Sequence, residues 1–221
     1  MKRILKKLLL GEGRKACRVP FGLFRGLTLV LDPAVESNIY LGLYERETYS
    51  WLRRAGRAAG SLVDVGAGVG ELTMWGLAHD NIRRVIAYDP GPQRWVLLRD
   101  NLRVNGRESD PRLTLVEDYF LGETRFEEDE RILDGLQEPI LLKLDVDGGE
   151  EAILKLLRPT LQSKRFLVLI ETHSRALDEA CEGILAGAGY EVRRIPQAWW
   201  RRFYPENRSL EWNQWMVASK R

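Results

Sequence analysis

Apolar positions in this chain follow two rhythms. From about residue 60 to residue 190, short runs of Val, Leu and Ile alternate with longer stretches whose apolar residues recur every three or four positions. The short runs are "SLVDVG", "RVIAYD", "RLTLVED", "ILLKLDVD" and "RFLVLIETH". Such near-continuous runs fit strands buried on both faces, as in a parallel sheet. The stretches between them, "ELTMWGLAHD", "PQRWVLLRDNLRVNG", "GEEAILKLL" and "SRALDEACEGILAGAGY", read as helices. Pro92 suits a first turn, Gly106 a stop, and Ser174 is placed to cap the last of them. Repeated strand–helix units predict an open, doubly wound α/β domain over residues 57–221. Residues 1–56 are read as an N-terminal extension with one strand, "GLTLVLD", and one helix, "YERETYSWLRRAG".

In such sheets ligands lie beyond the carboxyl ends of the strands. Every predicted strand end there is acidic: Asp64, Asp89, Glu117 with Asp118, Asp145 with Asp147, and Glu171. The first strand runs into "DVGAGVG", which places Gly66, Gly68 and Gly70 before a helix. Glycines there let the chain turn sharply and let a ligand approach the backbone without meeting a Cβ. Asp89 follows Gly66 by 23 residues, an offset at which a carboxylate can accept both hydroxyls of a ribose. Loop and acid together predict a nucleoside site, with Ala67 and Pro90 as backbone neighbours. The dinucleotide fingerprint G-x-G-x-x-G is not met, since the spacing is G-x-G-x-G, and no Gly-Lys-Ser/Thr of a phosphate loop follows. Asp64 ahead of the loop suits a ligand carrying an amine and suits a pyrophosphate badly. The spacing therefore favours S-adenosylmethionine, with Asp118 or Glu117 as acceptor for the adenine amino group or as a surface acid.

Three segments, "LVDVGAGVGELT", "VIAYDPGPQRWVLLRDNLRVNG" and "ILLKLDVDGGEEAIL", together resemble the FkbM family of S-adenosylmethionine-dependent methyltransferases. "YLGLYERET" before them and "VLIETH" after them match the same run, and the likeness covers about residues 38–190. The resemblance implies a class I methyltransferase (Rossmann-like) fold: a seven-stranded sheet whose last strand is antiparallel. "YEVRRI" and "QWMVASK" would be its closing pair of strands. It implies methyl transfer to hydroxyl oxygens of small molecules, sugars or lipid head groups. Gly68 stands where the family commonly has Asn, and Asp89 and Asp147 where it has Glu.

Strand alternation places Lys143, Asp145 and Asp147 on one side, with Asp145 nearest the expected methyl. Asp145 is read as orienting the substrate or the cofactor's amino group. Asp147 either shares that role or caps the following helix. Glu171 and His173 share a face at the next strand end, and His173 is the best candidate for a general base. The alternative is a histidine that closes a loop. No metal is expected: Asp145 and Asp147 alone are a thin donor set. The Trp- and Arg-rich segment over residues 198–215 is either a substrate lid, with arginines holding anionic groups, or a packed hairpin.

Composition changes this picture little. A net charge of +2 and no long basic block argue against nucleic acid as partner. Cys17 and Cys181 form no C-x-x-C pair, which suggests a reducing, cytoplasmic setting. The opening "MKRILKKLLLGEGRK" has an apolar core too short for a membrane span. It reads as a helix docked on its own domain, with weak peripheral membrane contact through residues 2–10 as the second reading. Competing functions are an NAD(P)-dependent oxidoreductase, a non-catalytic cofactor-binding module, and a glycosyltransferase using Asp145-Val146-Asp147 for a metal.

Overall fold

The structure is a computed structural model and describes residues 10, 11, 13–202 and 213–220. The N-terminal stretch assigned to membrane contact lies almost wholly outside the described residues, as does much of the tail after Arg202. No helix among the described residues is long and apolar enough to cross a membrane.

Among the described residues, nine strands form two sheets. β1 (Lys15–Arg18) and β2 (Thr28–Leu31) make an antiparallel ribbon. The other seven are β3 (Ser61–Val65), β4 (Arg84–Tyr88), β5 (Leu113–Val116), β6 (Ile140–Leu144), β7 (Phe166–Thr172), β8 (Glu191–Ile195) and β9 (Gln214–Ser219). They lie in the order β5-β4-β3-β6-β7-β9-β8. β9 runs antiparallel to both β7 and β8, and the pairs from β5 to β7 are parallel. The mixed seven-stranded α/β sheet expected from the sequence is therefore present. The chain starts its large sheet in the middle, at β3, steps outward through β4 and β5, and returns on the other side at β6. The reversal leaves a crevice above the carboxyl ends of β3 and β6.

The strands are apolar on both faces because both faces are covered. Leu62, Val85, Leu141 and Leu169 point into one layer. Val63, Ile86, Leu142 and Ile170 point into the other. Seven helices supply that cover: α1 (Ser37–Tyr40), α2 (Tyr49–Ala58), α3 (Glu71–Leu77), α4 (Pro92–Val104), α5 (Phe126–Asp134), α6 (Glu150–Ser163) and α7 (Arg175–Gly187). Ser174 caps α7 as expected, accepting from the Leu177 N–H at 3.2 Å.

Four local expectations need correction. The helix expected from Tyr44 starts only at Tyr49, after a 3-10 turn over Arg46–Thr48, because Glu45 sits at φ 45° and breaks the helical path. α6 continues past Pro159 to Ser163, since Leu154, Leu157 and Leu161 bury one continuous face. β1 and α5 were not expected. β1 is four residues with a single buried side chain, Cys17, and α5 is dominated by charge, so neither carries a strong apolar rhythm.

The ribbon is fixed to the main sheet's cover by two asparagines of the α4 segment. Asn101 Oδ1 accepts the Val30 N–H at 2.6 Å, and Asn105 Oδ1 accepts the Thr28 N–H at 2.9 Å. Asn101 also donates to the Val69 carbonyl at 2.8 Å, so the same side chain steadies the glycine loop.

Candidate functional site

The loop after β3 is shaped by what lies across from it. Gly66 has φ 77°, and a Cβ built on it would sit 1.8 Å from the Asp145 carbonyl oxygen. The ends of β3 and β6 can approach this closely only over a bare backbone. Gly68 has φ 59° and faces open space, with no atom of the described residues within 4 Å of a built Cβ. Ala67 and Gly68 line a cavity, and Gly70 forms the left-handed entry to α3.

Asp89 links this loop to the next strand end. Its Oδ2 accepts the Gly68 N–H at 2.9 Å and its Oδ1 accepts the Gly91 N–H at 2.8 Å. Arg94 stands 3.5 Å from Oδ2, and the Trp95 indole donates to the Asp89 carbonyl. The carboxylate is buried; Oδ2 takes both the Gly68 N–H and Arg94, while Oδ1, with the Gly91 N–H as its donor, keeps a second lone pair for a ligand hydroxyl.

Two cavities meet at Gly66, Arg94 and Asp145. The larger, about 540 Å3, is lined by the apolar Phe120, Ile153 and Leu156 together with Asp89, Pro90 and Asp118. The smaller, about 210 Å3, is lined by Asn38, Tyr44, Glu71, Lys143, Asp145 and Glu171. Of the two acids after β5, Asp118 reaches the larger cavity, while Glu117 pairs with Arg99 on the surface. Asp64 lines neither. Its side chain is turned beneath the loop, where Oδ2 accepts the Thr73 hydroxyl at 2.7 Å.

Lys143 is the electrostatic centre of the smaller cavity. Its Nζ lies 3.3 Å from Asp145 Oδ2. Burial works against the ammonium, but the carboxylates of Asp145, Glu45, Asp64 and Glu71 outweigh it and hold its pKa well above the ordinary value. Asp64 is pushed up by burial despite Lys143 and Thr73. Burial also pushes Glu71 up to about 7, against the pull of Lys143. The buried Tyr44 phenol is raised in the same way, with Glu45 adding to burial, so it stays a neutral donor.

Asp145 bridges Lys143 and His173. His173 Nε2 lies 3.5 Å from Asp145 Oδ1 and 3.5 Å from Asp147 Oδ1. The Asp145 carboxylate holds the imidazole pKa above its ordinary value, against burial. Glu171 is buried at the end of β7 beside them. Ligating atoms of Asp145, Glu171 and His173 lie within 4.8 Å of one another, close enough to share one cation. The Lys143 ammonium already supplies such a charge to Asp145.

Asp147 does not cap α6. It has left the strand at φ 54°, and Glu150 instead pins the loop before the helix, accepting from the Val146 N–H at 3.2 Å and the Gly148 N–H at 3.1 Å. The signal for Glu150 was an acid in a first helical turn, outshone by the nearer Asp147. Arg201 is likewise not free to hold an anionic substrate. Its guanidinium grips Glu47 at 2.7 and 2.8 Å and donates to the Leu43 carbonyl at 3.0 Å. It also lies over the rings of Trp200 and Trp215. Trp199 of the same turn is 80 % exposed. Tyr44, Glu71 and Lys143 were missed as site residues. Only the fold shows that residues from the extension, α3 and β6 share a cavity.

The architecture recurs among solved methyltransferase structures. A precorrin-6y C5,15-methyltransferase from Geobacter metallireducens superimposes with a TM-score of 0.53 at 18 % identity, over 80 % of this chain and 88 % of that one. A methyltransferase FkbM from Methylobacillus flagellatus gives 0.54 at 20 % identity, over 72 % of this chain and 43 % of that one. An rRNA methylase from Streptococcus thermophilus gives 0.52 at 16 % identity, over 80 % and 97 %. No protein-family model and no curated protein sequence matches the chain. The likeness is therefore one of fold.

Proposed function

We propose that this chain is an S-adenosylmethionine-dependent methyltransferase acting on a hydroxyl of a small molecule, sugar or lipid head group. The observation that carries the reading is the pair of cavities meeting over Gly66. One combines apolar side chains with the carboxylates of Asp89 and Asp118, which suits an adenosine. The other is small and acidic, which suits a cationic amino-acid end. A dinucleotide would have to set its pyrophosphate against Glu71 and Asp145, which disfavours the oxidoreductase reading. Asp89 would take the ribose hydroxyls beside Pro90, Asp118 would face the adenine edge, and Asp145 would close the middle.

When bound, the cofactor supplies an electrophilic methyl on a sulfonium. The protein's part is alignment and one proton. His173 takes the proton that the acceptor hydroxyl loses, and the carboxylates of Asp145 and Asp147 stabilise the resulting imidazolium. Glu171 orients the hydroxyl toward His173. The fold is shared with an rRNA methylase, so it does not by itself separate acceptor classes. The acidic lining around Asp145 and Glu171 favours an acceptor with no phosphate beside the reacting group.

Calorimetric titration with S-adenosylhomocysteine tests the cofactor. Binding is expected at micromolar concentrations and should weaken at least tenfold in Asp89→Ala, which loses the ribose contacts. Absence of heat at millimolar ligand would sink the reading.

A further inference from the structure

The acid that the sequence pattern offers to a ligand amine, Asp64, gives Oδ2 to Thr73 inside the fold, and although its Oδ1 has no partner among the described residues, it lines neither cavity. The smaller cavity nonetheless contains a carboxylate oxygen in want of a donor. Glu71, the first residue of α3, lines that cavity. Its Oε2 is buried and has no hydrogen-bond partner among the described residues. Lys143 is the cation beside it, but its ammonium is directed to Asp145. Every other charged neighbour but one adds negative potential: Glu36 ahead of α1, Glu45 from the segment before α2, Asp64 from β3, Asp145 after β6 and Glu171 from β7. Arg94 of α4 reaches the rim, where it faces Asp89. A buried carboxylate oxygen without a donor is costly, and an ammonium group would satisfy both its charge and its lone pair.

We propose that Glu71 anchors a primary ammonium of the bound ligand, the α-amino group of the cofactor's amino-acid end. This rests on the cofactor reading above and adds the residue that selects for the amino-acid end. It has a thermodynamic consequence. In the free protein burial holds Glu71 partly protonated near neutrality. When the ammonium arrives, the Glu71 carboxyl loses its proton to solvent and the carboxylate accepts an N–H from the ligand. Binding therefore releases a proton between about pH 6 and pH 8.

The experiment compares S-adenosylhomocysteine with 5′-methylthioadenosine, which has the nucleoside and lacks the amino acid. Each is titrated into wild type and Glu71→Gln in two buffers of different ionisation heat. Wild type should release roughly half a proton per S-adenosylhomocysteine at pH 7 and none per methylthioadenosine. Glu71→Gln should bind S-adenosylhomocysteine about 10- to 100-fold more weakly, bind methylthioadenosine unchanged, and release no proton. Equal loss for both ligands, unchanged affinity for both, or proton release that persists in the variant would overturn the anchor while leaving the nucleoside site intact. If neither ligand binds wild type, the cofactor reading falls, and the anchor with it.

Discussion

Replacing Gly66 by alanine tests the close approach on which the site is built. A Cβ at this position would lie 1.8 Å from the Asp145 carbonyl oxygen, so about 1.5 Å of separation must be gained to reach ordinary contact. The obstacle is backbone, in a segment where the Asp145 N–H donates to the Val65 carbonyl at 3.1 Å and Val65 pairs with Leu144. Opening it strains the β3–β6 junction by about 1–3 kcal/mol and loses a hydrogen bond worth about 1 kcal/mol. Gly68→Ala is the control. It shares the positive φ and hence the backbone cost of about 1–2 kcal/mol, but its Cβ meets open space. Urea unfolding should therefore place Gly66→Ala about 2–4 kcal/mol below Gly68→Ala. In melting temperature that is roughly 5–15 °C for a chain of this size. The Asp145 side chain would move with its backbone, away from Lys143 and His173, so ligand affinity should fall as well. Equal stability of the two variants, within about 0.5 kcal/mol, would refute the argument that the strand ends require a bare backbone here.

Further expectations concern the charged groups. His173 is held above its ordinary pKa by Asp145, so its basic form fills only as pH rises past 6.5. Turnover should climb through that range and then level off. Asp147→Asn removes a carboxylate 3.5 Å from the ring and should shift the inflection to lower pH; an unmoved inflection would remove His173 as the titrating base. Arg201→Ala strips the partner from Glu47, both side chains being buried, and should cost about 3–5 kcal/mol in urea unfolding at pH 7. Glu47 is held below its ordinary 4.5 by the Arg201 and Ala198 hydrogen bonds, which outweigh burial. Its contribution is present above pH 4.5 and lost as pH falls through the lower folded value, so the gap between variant and wild type should narrow below pH 4.5. A constant gap would show that Arg201 acts by packing on Trp200 and Trp215 instead.

The local pattern of residues determined which segments became the strands of the large sheet, because each is a run of apolar side chains that only a doubly covered sheet can hide. It also determined that acids would gather at one edge, since the ends of successive parallel strands converge there. Gly66 and Asp89 were legible for that reason: a glycine between strand and helix, and an acid one β–α unit later. Side-chain direction was not legible. Asp64 and Glu71 differ little as letters, yet the turn of the loop sends one under the sheet's edge to Thr73 and leaves the other facing the cavity. Of the two readings of Asp147, site acid or helix cap, the left-handed turn there favours the first, because it swings the carboxylate toward His173. Arg201 looked like a ligand-binding cation until the fold brought Glu47 to it from 154 positions away. Strand periodicity and strand-end acids are local properties, so the sequence carries them openly. Which carboxylate is buried, paired or left wanting a partner depends on long-range contacts, and only the tertiary structure decided that.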